Sequence, residues 1–285
     1  MFVIIGYVVV LGAVVGGFIM AGGHVGILIQ PVELLIIIGA AMGAFLAANS
    51  PRALASVGGA LGSALKGSKY NKELYMELMS LLYSVFVKVR KSGLLAIEED
   101  VDNPHNSALF QAAPNILADH HAVDFITDYL RLMAGGSMDS NQIDNLMEVD
   151  IETHHHELEV PIHSLQALGD GMPAFGIVAA VMGVVHTMQS VGIPPAELGK
   201  LIAAALVGTF LGILMAYGFI APLVSLLESQ AQESTKFYQA IRVGLIAYLN
   251  DCAPPIAVEF SRKVLYSADR PSFKELEDKL KGGKG

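Results

Sequence analysis

An all-α membrane protein with four transmembrane helices is the fold class that the sequence predicts, and three observations predict it. The 285 residues are 53% hydrophobic and only 16% charged, against about 25% charged in a typical soluble domain. The mean hydropathy is +0.52. The apolar residues are bunched into charge-free runs, and no strand-period alternation of any length interrupts them. The same composition excludes a disordered chain, which needs low hydrophobicity and high charge. The single cysteine, Cys252, excludes an internal disulfide. A net charge of −9 argues against a nucleic-acid partner, whose footprint is a basic stripe.

The runs give the spans in order. Phe2–Met20, Gly171–Gly192 and Leu201–Ser225 carry no Asp, Glu, Lys or Arg, and each meets the ~20 residues a bilayer core requires. Leu34–Ala48 is shorter, with Glu33 at its edge, and needs flanking residues (Ile29–Asn49) to cross. The first run lacks a basic leader and exceeds a signal-peptide core, so it reads as an uncleaved span. Basic residues set the orientation. Residues 50–170 hold eight, residues 226–285 hold nine, and the loops 23–32 and 193–199 hold none. By the positive-inside rule both large polar parts and both termini are cytoplasmic. The expected organisation is therefore spans one and two (1–49), a cytoplasmic domain (50–170), spans three and four (171–225) and a cytoplasmic tail (226–285).

Helical periodicity continues outside the membrane. Leu74, Leu78, Leu82, Val85 and Val89 form one apolar stripe that stops at Ser92-Gly93. Phe125, Ile126, Leu130 and Met133 predict a helix ended by Gly135-Gly136. Ile143, Met147 and Ile151 mark a third, and Phe237, Ile241, Leu245 and Leu249 a fourth, interrupted by Pro254-Pro255. The stretch 279–285 reads as frayed. The acidic excess sits in the middle domain, where 17 acids face eight bases. A solvated acidic surface is its simplest explanation.

Several side chains bear on function. No phosphate-binding loop or metalloprotease pattern is present. Adjacent His154, His155 and His156 point ~100° apart on a helix, which favours a polar face over a metal site; an intramembrane metalloenzyme would need them. Gly176 with Ala180, Ala179 with Gly183, and Gly208 with Gly212 and Ala216 put small residues four apart in spans three and four. That spacing serves close helix packing, either within one bundle or along an oligomer seam. No acid is expected deep in any span, where an ion path normally needs an ionisable group, so a partner would have to supply one. Thr209 is either a polar wall residue or a backbone-bonded threonine. Pro173 is either a first-turn proline or a kink, and Pro222 follows a long helical run, where a proline weakens the helix.

Four features together resemble the MotA family, the larger stator subunits of the bacterial flagellar motor, over almost the whole chain. They are the four-span layout, Gln30-Pro-Val-Glu33-Leu-Leu-Ile-Ile-Ile-Gly-Ala-Ala, Pro173-Ala-Phe-Gly-Ile-Val-Ala-Ala-Val-Met-Gly-Val-Val, and Val207-Gly-Thr-Phe-Leu-Gly-Ile-Leu-Met-Ala-Tyr-Gly-Phe-Ile-Ala-Pro222. The resemblance implies a non-enzymatic, multi-pass protein of the bacterial inner membrane. It implies a ring of five in lipid around a MotB-like, peptidoglycan-anchored partner carrying the proton-accepting aspartate. It also implies torque on the rotor switch protein of the flagellar C-ring.

By the same comparison, Arg90 and Glu98 are the rotor-contact charges, with Lys91 and Glu99 close enough to share the role. Their alternative is an intrachain salt bridge worth at most ~1 kcal/mol. Pro173 and Pro222 match the family's pair for conformational coupling. Thr209 matches its polar pore position, and Asp170 lies near the cytoplasmic exit. Sodium-driven relatives carry a threonine where this chain has Ala180, so the expected ion is H+, with no cofactor. Energisers of the ExbB or TolQ type are the alternative. They have three spans, and the Phe2–Met20 run and the Arg90–Glu98 segment argue against them.

Overall fold

The structure is a computed structural model that describes residues 2–189, 192 and 194–282. The helices in chain order are α1 (Phe2–Met20), α2 (Pro31–Ala48), α3 (Pro51–Lys66), α4 (Lys72–Ser92), the short α5 (Glu98–Asp102), α6 (Ala108–Gln111) and α7 (Pro114–Leu117), α8 (His120–Gly135), α9 (Ser140–Met188), α10 (Pro195–Met215), α11 (Ala221–Leu249), α12 (Pro254–Val264) and α13 (Phe273–Gly282). A π-helical segment, Ala216–Ile220, joins α10 to α11 without a break. No strand occurs among the described residues. Two compact units form. One comprises Met1–Gly67 and Glu157–Gln230, the other Ser68–His156 and Ala231–Gly285.

Local chemistry explains the helix ends. The Asn71 side chain accepts from the Leu74 amide at 2.9 Å and starts α4. Gly93 ends it at φ 82°, a left-handed value that glycine adopts freely. Gly136, at φ 60°, ends α8 where the sequence predicts. Ser50 caps α3 by accepting from Ala53, with Pro51 at the first helical position. The sequence reading missed α3 because Gly58, Gly59 and Gly62 look like loop residues.

Three expectations need correction. The helix marked by Ile143, Met147 and Ile151 does not end before span three: α9 is one helix of 49 residues, with Pro161 and Pro173 inside it. Boundaries at 170/171 and 225/226 therefore fall within helices. The helix marked by Phe237–Leu249 is likewise not separate from span four, and Pro254 starts α12 rather than interrupting an existing helix. Residues 279–282 belong to α13. The remainder of the stretch read as frayed, and parts of span three's end and of the loop 193–199, lie outside the described residues.

In the first unit, four helices are long and apolar enough to cross a membrane: Phe2–Met20, Val25–Ala48, and segments within Ser140–Met188 and Pro195–Leu249. Its core is small, built on Ile37, Ala41, Met172, Ala179 and Ala216. What brings α9 and α10 together is the absence of side chains. A Cβ on Gly176 would lie 2.8 Å from the Gly208 carbonyl oxygen, and one on Gly212 would lie 2.6 Å from the Met172 carbonyl oxygen and 3.0 Å from Gly176 Cα. The backbones touch, as small-residue pairs permit in lipid. The small-residue faces are thus occupied inside one chain, so they do not supply a free seam for an oligomer.

The second unit has an ordinary hydrophobic core. Leu78, Leu82, Val85 and Phe86 of α4 meet Phe125, Ile126 and Leu130 of α8, Met147 of α9 and Phe237, Ile241 and Leu245 of α11. Phe86 and Tyr248 stack with ring centroids 4.5 Å apart. Tyr129 donates to Asp150 at 3.0 Å, and Arg242 Nε reaches Asp144 at 2.6 Å.

The Gly212 contact generates a prediction. Its neighbours are backbone atoms that cannot rotate away, so Gly212→Ala should destabilise the protein by ~1–3 kcal/mol through overpacking. Gly16→Ala, where nothing lies within 4 Å, should leave stability unchanged. Thermal unfolding of the two variants in the same detergent checks both.

Candidate functional site

The structure places the predicted residues in two groups, one in each compact unit. The first surrounds the α9–α10 contact. Ala180 is buried there, and its amide nitrogen would lie 3.2 Å from a Cβ on Gly208. Thr209 is the next residue along, half-buried, with its Cα 3.4 Å from where a Gly176 Cβ would be. Ala180 and Thr209 therefore share one crossing. The Thr209 hydroxyl makes no hydrogen bond among the described residues. Thr187, by contrast, donates to the Gly183 carbonyl at 2.8 Å. Asp170 is exposed and accepts from Gln166 at 2.9 Å.

The sequence placed Glu33 at the edge of span two but did not show its burial. Glu33 sits at the edge of its span, in the first turn of α2 and inside the candidate span Val25–Ala48, yet it is only 8% exposed. Its Oε2 has no hydrogen-bond partner. A Cβ on Gly208 would lie 2.8 Å from Oε2, and one on Gly183 would lie 3.3 Å from Oε1. Two glycines, one on each helix of the crossing, make room for this carboxylate. A position at the edge of an apolar run gave no sign of that burial, which depends on α2 meeting residues 150 or more positions away.

The two prolines occupy a related backbone setting. Pro173 lies inside α9 and not in a first turn. It cannot donate to the carbonyl four residues back, that of Gly169, and its ring crowds that carbonyl. Pro222 sits at the second position of α11, just after the π segment, and the residue four back is Gly218. The two weak points are neighbours, because a Cβ on Gly169 would lie 2.8 Å from the Ile220 side chain. π segments break the regular i to i−4 ladder and occur often at functional positions.

The second group is a charged surface. Arg90 and Lys91 end α4, and Glu98 and Glu99 begin α5. Each sign complements the helix dipole at its end. All four are exposed, and among the described residues none enters an ion pair. The intrachain Arg90–Glu98 bridge is therefore absent. The turn between them is anchored by other charges. Lys88 Nζ contacts Asp100 at 2.6 Å, Ser107 donates to the same carboxylate at 2.6 Å, and Arg131 binds Asp102 and the Val101 carbonyl. Burial pushes the Tyr248 phenol up from its ordinary value, while the nearby Arg90 charge pulls it the other way.

The three adjacent histidines diverge. His154 packs on Tyr238 at 4.7 Å, His155 Nδ1 meets the Thr235 hydroxyl at 2.9 Å, and His156 lies 3.7 Å from Glu152. No group of three or more His, Cys, Asp or Glu side chains that could hold a metal ion occurs among the described residues.

Residues 4–93 match the model described as motility protein A N-terminal, and residues 118–240 match the MotA/TolQ/ExbB proton channel family. Motility protein A of Salmonella typhimurium is 52% identical over 99% of this chain and 95% of its own. Motility protein A of Escherichia coli is 51% identical over 100% and 96%. The fold is shared with the C. jejuni MotAB structure, at TM-score 0.79 and 20% identity over 95% of this chain and 98% of that one. It is also shared with the Bacillus subtilis MotAB stator complex, at TM-score 0.73 and 22% identity over 90% and 92%. With four candidate spans and a near-full-length match at this identity, the chain belongs to the motility protein A family.

Proposed function

We propose that this chain is the ion-conducting stator subunit of a flagellar motor, which turns proton flow into torque on the rotor switch protein. The observation that carries the reading is the 52% identity to a motility protein A over nearly the entire length, spanning both the helix crossing and the charged surface. The chain works in the inner membrane with both termini in the cytoplasm, in a ring of five around a MotB-like partner anchored to peptidoglycan. It does no covalent chemistry.

The physical division of labour follows from the two groups. Thr209 presents a hydroxyl beside the α9–α10 crossing, Ala180 presents no oxygen there, and Asp170 offers a carboxylate toward the exit. A wall with one side-chain oxygen is poor at replacing a sodium ion's several oxygen ligands but can pass a proton. The partner supplies the main acceptor carboxylate, and Glu33 adds one from this chain. Charging and discharging of the acceptor moves the helices about Pro173 and Pro222. Arg90, Lys91, Glu98 and Glu99 then meet charges on the rotor. Exposed, unpaired charges suit a contact made and broken repeatedly, since electrostatics speeds encounter more than it deepens affinity.

Three outcomes test this. Arg90→Glu should lower torque at high load, and a compensating reversal on the rotor should restore part of it; normal swimming at high load removes Arg90 from the contact. Pro173→Ala restores the missing amide to α9, so it should slow the motor while the complex stays in the membrane; unchanged torque removes the hinge. Glu33→Gln keeps the shape and removes the charge. It should cut proton flux at least about twofold, only ~0.4 kcal/mol on the slow step, with complex abundance unaltered. Proton uptake by cells expressing the complex is the measurement.

A further inference from the structure

We propose that Tyr7 is a positioning residue for the hinge in span four, holding the π segment in register from the neighbouring span. Three observations meet at this point. The Tyr7 hydroxyl donates to the carbonyl of Phe219 at 2.8 Å, across 212 positions of sequence. The two rings lie 4.9 Å apart at an interplanar angle of 49°. One turn further along α1, Val10 packs against Gly218, where a Cβ would lie 3.1 Å from Val10 Cγ1. The rest of α1 contributes no buried side chain, so this contact stands out on a helix that otherwise turns apolar side chains outward.

Hydrogen-bond accounting explains why an outside donor is useful in this turn. Within a helix each residue brings one amide and one carbonyl, and buried ones are paired. Pro222 brings no amide, so the Gly218 carbonyl four residues back loses its helical donor. The π segment redistributes the bonds, with the Ala221 amide reaching Ala216, but it adds no donor. Water is scarce inside a bilayer, and an unpaired carbonyl there is expensive. The Tyr7 hydroxyl adds a donor from outside the helix, on the carbonyl next to that of Gly218. It sits on Phe219, three residues before Pro222 and one before Ile220, the side chain that packs on Gly169 below Pro173. Tyr7 therefore grips the segment where both proline-weakened backbones meet. Losing the hydroxyl frees the segment to change register without the drive of ion flow, so coupling slips.

This inference rests on the hinge reading of Pro222, and the experiment separates the two. Tyr7→Phe keeps the ring and removes only the donor. The variant is expressed with the MotB-like partner in motile cells lacking their own copy. Complex abundance in membranes and the torque–speed curve are measured. Abundance should be unchanged while speed at low load falls about two- to threefold, in line with loss of one hydrogen bond. In parallel, the infrared amide band of the complex labelled with carbonyl-13C phenylalanine reports the contact itself. One labelled carbonyl should move to higher frequency in Tyr7→Phe. No band shift means the bond is not made, and the proposal fails. A band shift with wild-type speed means the bond is made but does not position the hinge, which also overturns it. A speed loss that merely tracks a loss of complex assigns Tyr7 to bundle stability and overturns it as well. If Pro222→Ala leaves torque intact, the hinge reading fails, whatever the band does.

Discussion

Close approach of α9 and α10 is the constraint on which the membrane unit depends. Lipid tails are as apolar as leucine, so nothing squeezes two apolar helices together in a bilayer except packing and hydrogen bonds. Here Gly176, Gly208 and Gly212 let carbonyl and Cα atoms meet directly. The predicted pore-side residues and one buried acid gather around this contact. Ala180 and Thr209 flank it. Glu33 enters it from α2 because Gly183 and Gly208 leave room for a carboxylate. Larger residues at those two positions would exclude the only buried acid among the described residues.

The same helices carry the deliberate weaknesses. Pro173 and Pro222 each have a glycine four residues earlier, and the two sites lie side by side through Gly169 and Ile220. A tightly packed pair of helices with adjacent breaks in both ladders is stiff except at one level. The charged surface follows a parallel logic. Lys88, Asp100, Ser107, Arg131 and Asp102 fix the turn after α4 through bonded charges. Four further charges are left exposed and unpaired. Fixing the backbone with one set of ions leaves the neighbouring set without intrachain pairs among the described residues.

How much of this was legible in the sequence varied with the range of the interaction. The ends of α4 and α8 were readable because Gly93 and Gly136 act within a single turn. The four spans were readable because lipid demands an apolar run whatever surrounds it. The continuity of α9 and of α10 through α11 was not readable, since polar residues after an apolar run look the same whether the helix stops or goes on. The burial of Glu33 and the Tyr7–Phe219 bond were hidden for a stronger reason: both join residues 150 or more positions apart. Pro222 marked the neighbourhood of the π segment without revealing it.

The glycine crossing has an entropic consequence. Fixing a long side chain such as methionine costs up to ~2 kcal/mol of rotamer freedom, whereas glycine and alanine cost nothing. The contact among Gly176, Ala179, Gly183, Ala205, Gly208 and Gly212 therefore forms without freezing a single rotamer. Glycine's own handicap, its backbone freedom in the unfolded chain, does not enter either, because each span is already helical in the bilayer before the two associate. A residue that weakens helices in water thus becomes a low-entropy-cost adhesive here, and the pair can associate on dispersion forces alone.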